Sequence, residues 1–174
     1  MPPDVVVGID PDSVKSGFAV LNVATRRLTV GTFAFADLLD RLRSLQRDCE
    51  VRGLSLLVVV EAGWLNKSNW HVGYHDSRQL AAAKGTGVGR NQQTGILIGE
   101  MCSHWRIPHD EIKPLNLRLR GANLWSGKDG KITAGELLAV TGFGGRTNQE
   151  GRDAALIAWT YAGLPVKVAK TMKK

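Results

Sequence analysis

Cysteines are scarce and long apolar segments are missing in this 174-residue chain, and each lack disfavours a class of protein. The two cysteines, Cys49 and Cys102, lack the spacing of metal ligands, so we expect reduced thiols in a cytosol-like compartment. The longest apolar run surrounds residues 56–60 and is far shorter than the ~20 residues of a membrane span. The opening MPPDVVVGID has no basic start and no cleavage site. We therefore expect a cytoplasmic protein, in the host-cell cytoplasm if the chain is viral, and no membrane association.

Aromatic residues form only 6% of the chain, but hydrophobic residues form 43% and charged residues 22%, a balance that excludes a disordered protein. The length suits one domain, and a chain of this size buries roughly 70% of its unfolded surface, enough for a core without disulfides or a structural metal. We expect a single domain at residues 1–165 and a basic C-terminal tail at residues 166–174.

Acidic residues are in deficit. The chain has 16 of them against 23 lysines and arginines, which gives a formal charge of +7. This excess predicts a polyanionic partner, and nucleic acid before a membrane surface, because no basic amphipathic helix is evident. Many basic proteins bind no polyanion, so the charge acquires meaning only together with a site.

The apolar periodicity predicts three strands, a helix, a strand, a helix, a short strand and two helices. Their expected ranges are 5–10, 18–22, 28–35, 36–52, 54–60, 91–105, 109–113, 132–140 and 150–162. Three consecutive strands followed by alternation predict an α/β fold, with a mixed five-stranded sheet whose first three strands are antiparallel and with helices on both faces. Residues 63–89 form the longest irregular stretch, and a loop of that length is usually functional or mobile.

Four acidic residues stand at positions where such a sheet collects functional groups. Asp10 ends the first strand and Glu61 ends the fourth, and sites gather at the carboxyl ends of parallel strands. Glu150 and Asp153 lie three residues apart at the start of the last helix and share a face. Caps and the helix dipole offer an ordinary use for each acid alone. Asp153, however, leads into an apolar face, where a carboxylate needs a cation.

A carboxylate cluster without histidine or cysteine favours hard ions, Mg²⁺ with Mn²⁺ as a substitute. Two such ions can activate a water and stabilise the leaving oxygen of a phosphodiester. The basic surface and the acid cluster then fit one activity, which is cleavage of a nucleic-acid backbone.

At this point the sequence resembles the RuvC-like Holliday junction resolvases of the RNase H-like, or retroviral integrase, superfamily. The resemblance spans nearly the whole chain and depends on four motifs in order. They are Gly8-Ile9-Asp10-Pro11 with Ser13 and Gly17; Val58-Val59-Val60-Glu61; Gly89-Arg90-Asn91-Gln92 with Gly95 and Gly99; and Glu150-Gly151-Arg152-Asp153 with the following Ala154-Ala155-Leu156-Ile157-Ala158.

The resemblance implies an RNase H-like nuclease domain that works as a homodimer, holds two Mg²⁺ ions per active site and makes paired nicks in a four-way DNA junction. It places Asp10 between the ions, Glu61 in one ion's shell, and Asp153 with Glu150 in the other's. Two positions depart from the family. Asp12 stands where glycine is common, and Glu150 stands where relatives carry aspartate or histidine.

Other residues are candidates for contact with DNA. Lys113, at the end of the fifth predicted strand, could steady a phosphate or developing charge, or could be an ordinary surface lysine. Trp64 and Trp70 could stack on unpaired bases, although one could fill the core; we expect at least one to face solvent. The full set of predicted DNA contacts is Ser13, Lys15, Trp64, Lys67, Trp70, Lys84, Arg90, Arg118, Arg120 and Lys128.

Two further patterns are ambiguous. His71 and His75 could bind a metal if helical, but Gly73 separates them and no third ligand is evident. The glycine-rich stretch 85–89 could cradle a phosphate at a helix N-terminus or act as a hinge.

Three alternative functions share parts of this pattern. A nuclease of the same superfamily that acts on RNA or RNA–DNA hybrids would use the same acids. An actin-like ATP-binding module also opens with Gly-Ile-Asp but needs two lobes, for which this chain has no room. A catalytically silent DNA-binding protein would not need the four acids.

Overall fold

The computed structural model describes residues 2–66, 76–115, 118–119 and 122–166. Its strands and helices alternate along the chain as an α/β protein's do. In chain order they are β1 (Val5–Asp10), β2 (Ser16–Asn22), β3 (Arg27–Phe33), α1 (Phe35–Arg52), β4 (Leu56–Glu61), α2 (Arg78–His104), β5 (His109–Ile112), β6 (Arg118–Leu119), β7 (Ala122–Asn123), α3 (Ala134–Thr141) and α4 (Gln149–Tyr161). Short 3₁₀ turns cover Gly63–Leu65 and Lys128–Gly130.

The main sheet has five strands in the order β3-β2-β1-β4-β5. β1, β2 and β3 pair antiparallel, whereas β4 lies parallel to β1 and β5 lies parallel to β4. This is the predicted mixed sheet with an antiparallel first half. β1 is central, and all of it except Asp10 is buried, which is why its sequence is apolar without interruption.

Successive side chains of β1 point to opposite faces of the sheet, and each face has its own helical layer. Val5, Val7 and Ile9 belong to the core that includes buried residues of α1 and α2. Val6 belongs to the core on the opposite face, formed with α4. The predicted placement of helices on both faces is therefore confirmed. Cys49 and Cys102 are buried free thiols within the first of these cores.

The helix α2 begins much earlier than the sequence predicts, at Arg78 instead of residue 91. Its first half is polar and small, with glycines at 85, 87 and 89, so no apolar stripe signals a helix. The Ser77 hydroxyl accepts a hydrogen bond from the Leu80 N–H and caps the true N-terminus. The glycine-rich stretch 85–89 lies inside the helix, so the prediction that it could cradle a phosphate at a helix N-terminus is wrong.

The two-stranded β6–β7 sheet is also absent from the prediction, because strands of two residues are too short to show alternation. Within the described ranges, no helix has both the length and the apolar character needed to cross a membrane.

Candidate active site

The first two acids meet because of strand alternation and register. Ile9 pairs with Val60 in the parallel ladder, so Asp10 and Glu61 are the next residues across it. Asp10 has the same parity as Val6, and Glu61 the same parity as Val59, and both valines belong to the core formed with α4. Both acids therefore lie on the α4 side, at the carboxyl end of adjacent parallel strands. The predicted meeting of the two strand ends is confirmed.

Helix α4 approaches these strands closely because two strand residues have no side chain. A Cβ on Gly8 would collide with the backbone of Ala154 and Ala158, and one on Gly17 would collide with the carbonyl of Glu150. Gly17 pairs directly with Asp10 in the antiparallel ladder. The absence of two methyl groups thus lets the first turn of α4 lie beside the end of β1.

The start of α4 is fixed by local hydrogen bonds. Asn148 is the N-cap, and its side chain accepts from the Gly151 N–H. Asp153 stands one turn inside the helix with both carboxylate oxygens engaged: Gln149 Nε2 donates to Oδ1 at 2.7 Å, and Lys131 Nζ donates to Oδ2 at 2.9 Å. The expectation that an acid at this depth requires a cation is confirmed, and the cation is Lys131.

The acids act on one another electrostatically. Burial, followed by the charges of Glu61 and Asp153, raises the pKa of Asp10 to about 8, with a smaller contribution from Glu150. Burial and then Asp153 raise the pKa of Glu61, although the Leu115 N–H and the Lys131 charge act against the rise. The cluster therefore has more negative charge than one lysine can neutralise.

Lys131 was missed by the sequence analysis. It follows a 3₁₀ turn in the connection before α3, and its partner Asp153 lies 22 residues further along the chain. Because the two residues are so far apart, no local sequence pattern indicates that they pair. Burial disfavours its charge, but the hydrogen bond and negative charge of Asp153, with Asp10 and Glu61 nearby, raise its pKa. Arg152 holds the segment in place, because its Nε donates to the Ile132 carbonyl at 3.0 Å.

The donor set fits a hard divalent cation in its chemistry, because it offers only oxygen ligands and an excess of negative charge. As the side chains stand, no three histidine, cysteine, aspartate or glutamate residues in the described part of the chain are grouped to hold a metal. Lys131 and Gln149 already donate hydrogen bonds to both carboxylate oxygens of Asp153. The Lys131 ammonium thus supplies part of the positive charge that a divalent cation would bring to the acids.

Two cavities open on either side of the acid cluster, and Lys131 and Glu61 line both. The cavity toward α2, of about 370 Å³, also has Asp10 and Trp64 in its wall. The cavity toward the β6–β7 hairpin, of about 350 Å³, also has Asp153. A polymer that crosses the acids would find a recess on each side.

Trp64 and the turn after β1 form much of the α2-side wall. The Trp64 ring is half-buried against the core and lies on Gly95, where a Cβ would come within 3.0 Å of the ring. Asp12 is part of the local structure: its Oδ1 accepts from the Val14 N–H at 2.8 Å, and its Oδ2 accepts from Asn91 Nδ2 at 3.1 Å. The Asp12 carboxylate therefore organises the turn after β1 and links it to α2.

The remaining predicted contacts are scattered over the structure. The Ser13 N–H donates to Asn91 Oδ1 at 2.9 Å, and Lys84 forms an ion pair with Asp76 at 2.7 Å. Lys113 is exposed after β5, and its predicted role stays a prediction. Lys15, Arg90 and Lys128 are exposed, and Arg118 belongs to β6.

Five residues singled out by the sequence lie outside the described ranges: Lys67, Trp70, His71, His75 and Arg120. The tail at residues 167–174 lies outside them as well.

The glycine at position 17 gives the first test of this packing. We expect Gly17→Ala to destabilise the protein by about 1–3 kcal/mol, because the new methyl group meets the α4 backbone. The displacement of Glu150 and Asp153 from Asp10 should also weaken the predicted phosphodiester cleavage. Chemical denaturation and a cleavage assay measure the two effects.

As a control, Gly135→Ala adds its methyl group to open space in α3. It should leave stability and cleavage within experimental scatter, or raise stability by up to ~1 kcal/mol. Equal stability of the two variants would contradict the close approach of α4.

Comparison with solved structures supports the predicted fold, and the evidence for a catalytic activity comes from the residues of the site. The structure of T. thermophilus RuvC in complex with a Holliday junction substrate is similar to this chain, with a TM-score of 0.53 and 18% sequence identity. The similarity covers 91% of this chain and 92% of that chain. The chain therefore has the α/β fold of RuvC, as predicted. No protein-family description and no curated protein matches the sequence.

Proposed function

We propose that this protein is a metal-dependent, structure-selective DNA endonuclease that resolves four-way junctions as a homodimer. The observation that supports this most strongly is the convergence of Asp10, Glu61 and Asp153 at the carboxyl edge of a RuvC-like sheet. Burial and the charges of Glu61 and Asp153 raise the pKa of Asp10, which costs stability in the absence of a cation, and a bound divalent ion would offset that cost.

In this proposal Asp10, Glu61, Asp153 and Glu150 would hold two Mg²⁺ ions, for which Mn²⁺ could substitute. Asp10 would serve both ions, Glu61 one of them, and Asp153 with Glu150 the other. Bound divalent ions would supply a water nucleophile at neutral pH and neutralise charge on the phosphodiester. Asp153 could serve as a ligand only after it gave up its hydrogen bonds from Lys131 and Gln149, and the freed Lys131 ammonium would then be available to contact the phosphate.

The substrate class follows from charge and from the fold. The formal charge of +7 favours a polyanion, and the structurally similar RuvC is bound to a Holliday junction. The proposed contacts near the acids are Trp64 in one cavity and Lys131 between the two. Lys113 directly follows Ile112, which pairs with Glu61, and is proposed to steady a phosphate or developing charge. The exposed Lys15, Arg90 and Lys128 are proposed as further phosphate contacts.

The test is a comparison of substrates with the purified protein in Mg²⁺. We expect a synthetic four-way junction to be nicked on two opposing strands, while a linear duplex of the same sequence, an RNA–DNA hybrid and a structured RNA are cut at least tenfold more slowly. Binding to the junction should weaken steeply with salt, because phosphate contacts release counterions. Preferential cleavage of the hybrid or the RNA would assign the protein to the RNA-directed alternative. Junction binding without any cleavage would favour the silent DNA-binding alternative.

The dimer has its own measurement. Sedimentation velocity of the protein with an uncut junction should show two protein chains per junction, since two opposing nicks need two active sites. A complex with one chain per junction would contradict the homodimer.

A further inference from the structure

We propose that a basic pocket at the amino edge of the sheet, where β1 begins, binds a backbone phosphate on an arm of the DNA junction. The inference rests on the proposed function and deepens it, because this contact would position the substrate without taking part in cleavage. The pocket, of about 240 Å³, lies between the β2–β3 turn and the glycine-rich loop that follows α3.

The wall of this pocket is positively charged. Arg26 and Arg27 line it, and none of the wall residues that the structure describes is acidic. Both arginines are exposed, and no residue with described coordinates forms an ion pair or hydrogen bond with either guanidinium. Carboxylates, in contrast, line both cavities beside the acid cluster. Two uncompensated guanidiniums favour an anion, and their planar forks match the oxygens of a phosphate.

The loop after α3 adds a backbone donor. Gly144 lines the pocket, and its N–H donates to no acceptor in the described ranges. The two N–H groups before it are already used, since Gly142 donates to the Leu138 carbonyl at 2.8 Å and Phe143 donates to Thr141 Oγ1 at 3.1 Å. The Gly142 bond also satisfies a carbonyl at the negative end of the α3 dipole, which would otherwise disfavour an anion.

Both walls are held in place without a ligand. In the β2–β3 turn, Asn22 Oδ1 accepts from the Thr25 N–H at 2.9 Å and from the Thr25 hydroxyl at 2.8 Å. Leu28, from the turn side, and Phe143, from the loop side, pack against the same core cluster as Ala154 of α4. The pocket is therefore preorganised, and it opens on the same side of the sheet as the acids.

The conformation of Arg26 indicates that its side chain has a use. Its φ is 57°, a value that glycine adopts without steric cost and that other residues adopt uncommonly. An arginine at this position costs the turn some stability that glycine would not. A phosphate contact made by the guanidinium would offset that cost.

The distance from the acids selects the occupant. Arg27 pairs with Asn22, which pairs with Val5, at the opposite end of β1 from Asp10. With a rise of about 3.3 Å per residue, the pocket lies roughly 17 Å from Asp10 along the strand. Phosphates of one DNA strand rise about 3.4 Å each along the helix axis, so the phosphate in the pocket would be roughly five nucleotides from the one at the acids.

The test uses a junction in which single phosphates are replaced one at a time by neutral methylphosphonates, and measures its affinity for Asp10→Asn protein, which does not cut it. One replacement, roughly five nucleotides from the cleavage position, should weaken binding by about 5–50-fold. Addition of Arg27→Ala should weaken binding of the unmodified junction by a similar factor, lower the salt slope by about one, and abolish the response to that replacement. Arg47→Ala removes an exposed arginine from α1, on the opposite face of the sheet, and should keep the response.

Arg26→Gly separates binding from folding. Because glycine accepts a φ of 57°, this variant should keep or raise the Tm of the protein while its affinity for the junction falls as in Arg27→Ala. The same response to every methylphosphonate in Arg27→Ala as in its parent would overturn the pocket and leave the nuclease intact. So would a Tm increase with inorganic phosphate that depends on Arg27 but is accompanied by no response in the junction scan, since the ligand would then be a free phosphate. Failure of the wild-type protein to bind and cut the unmodified junction would instead overturn the proposed function.

Discussion

Replacement of Asp10 by asparagine is expected to abolish junction cleavage, by at least a thousandfold, while the metal-free protein becomes more stable. Cleavage is lost because Asp10 is the ligand that the two ions share in the proposed site. Stability rises because burial and the charges of Glu61 and Asp153 disfavour the ionised carboxylate. With one pKa unit worth about 1.4 kcal/mol, the gain is a few kcal/mol at pH 7, and each kcal/mol raises the Tm by about 2–4 °C. Thermal unfolding in EDTA measures it.

The same group sets a pH dependence. The pKa of Asp10 is about 8 in the folded protein and near 3.8 when unfolded, so the folded state binds the extra proton between these values. The metal-free wild type should therefore lose stability as the pH rises from about 4 to 8, and Asp10→Asn should lose less. Asp48→Asn, on the exposed surface of α1, should follow the wild type. A destabilised Asp10→Asn protein, or one that cuts normally in Mg²⁺, would contradict the proposed site.

Replacement of Lys131 by methionine is expected to have two opposite effects. The Mg²⁺ concentration required for half-maximal cleavage should fall, because the ammonium no longer competes for Asp153 Oδ2. The maximal rate should fall on the order of a hundredfold, because a donor aimed at developing phosphate charge is worth 10²–10³ in rate. Metal-free stability should decrease by only about 1 kcal/mol, since the Lys131 side chain is 53% exposed and its ion pair is screened by solvent. Steady-state kinetics over a Mg²⁺ titration separate the first two effects.

Lys131→Arg and Lys128→Met serve as comparisons. Arginine keeps the positive charge and should recover much of the maximal rate. Lys128 is exposed three residues earlier in the same segment, so its loss should weaken junction binding without a change in the maximal rate. A Lys131→Met enzyme with the wild-type rate would show that this lysine is only a counter-ion.

The sheet and three of the acids could be predicted because their signals are local. β1 and β4 are apolar runs that end in an acid, and alternation within each strand fixes the face on which Asp10 and Glu61 lie. The start of α4 combines a capping asparagine with an apolar face, so the depth of Asp153 is visible in the sequence. Each inference needed only residues within one element and the pairing of two strands.

The missed features are those that depend on distant contacts or lack a pattern. Lys131 reaches the site from an irregular connection, and only the tertiary fold brings it to Asp153. The early start of α2 was missed because glycine at 85, 87 and 89 disfavours a helix by local propensity. The dense packing of α4 depends on Gly8 and Gly17, whose sequence neighbours do not reveal what lies across them.

The proposed activity depends on joint binding of divalent ions by Asp10, Glu61 and Asp153. Anomalous diffraction from crystals of the wild-type protein soaked in Mn²⁺ shows this directly. We predict two peaks within bonding distance of Asp10, one also bonded to Glu61 and the other to Asp153, with the Lys131 side chain moved off Asp153. A map without peaks at these carboxylates, recorded at Mn²⁺ concentrations that support cleavage in solution, would contradict the proposed metal site.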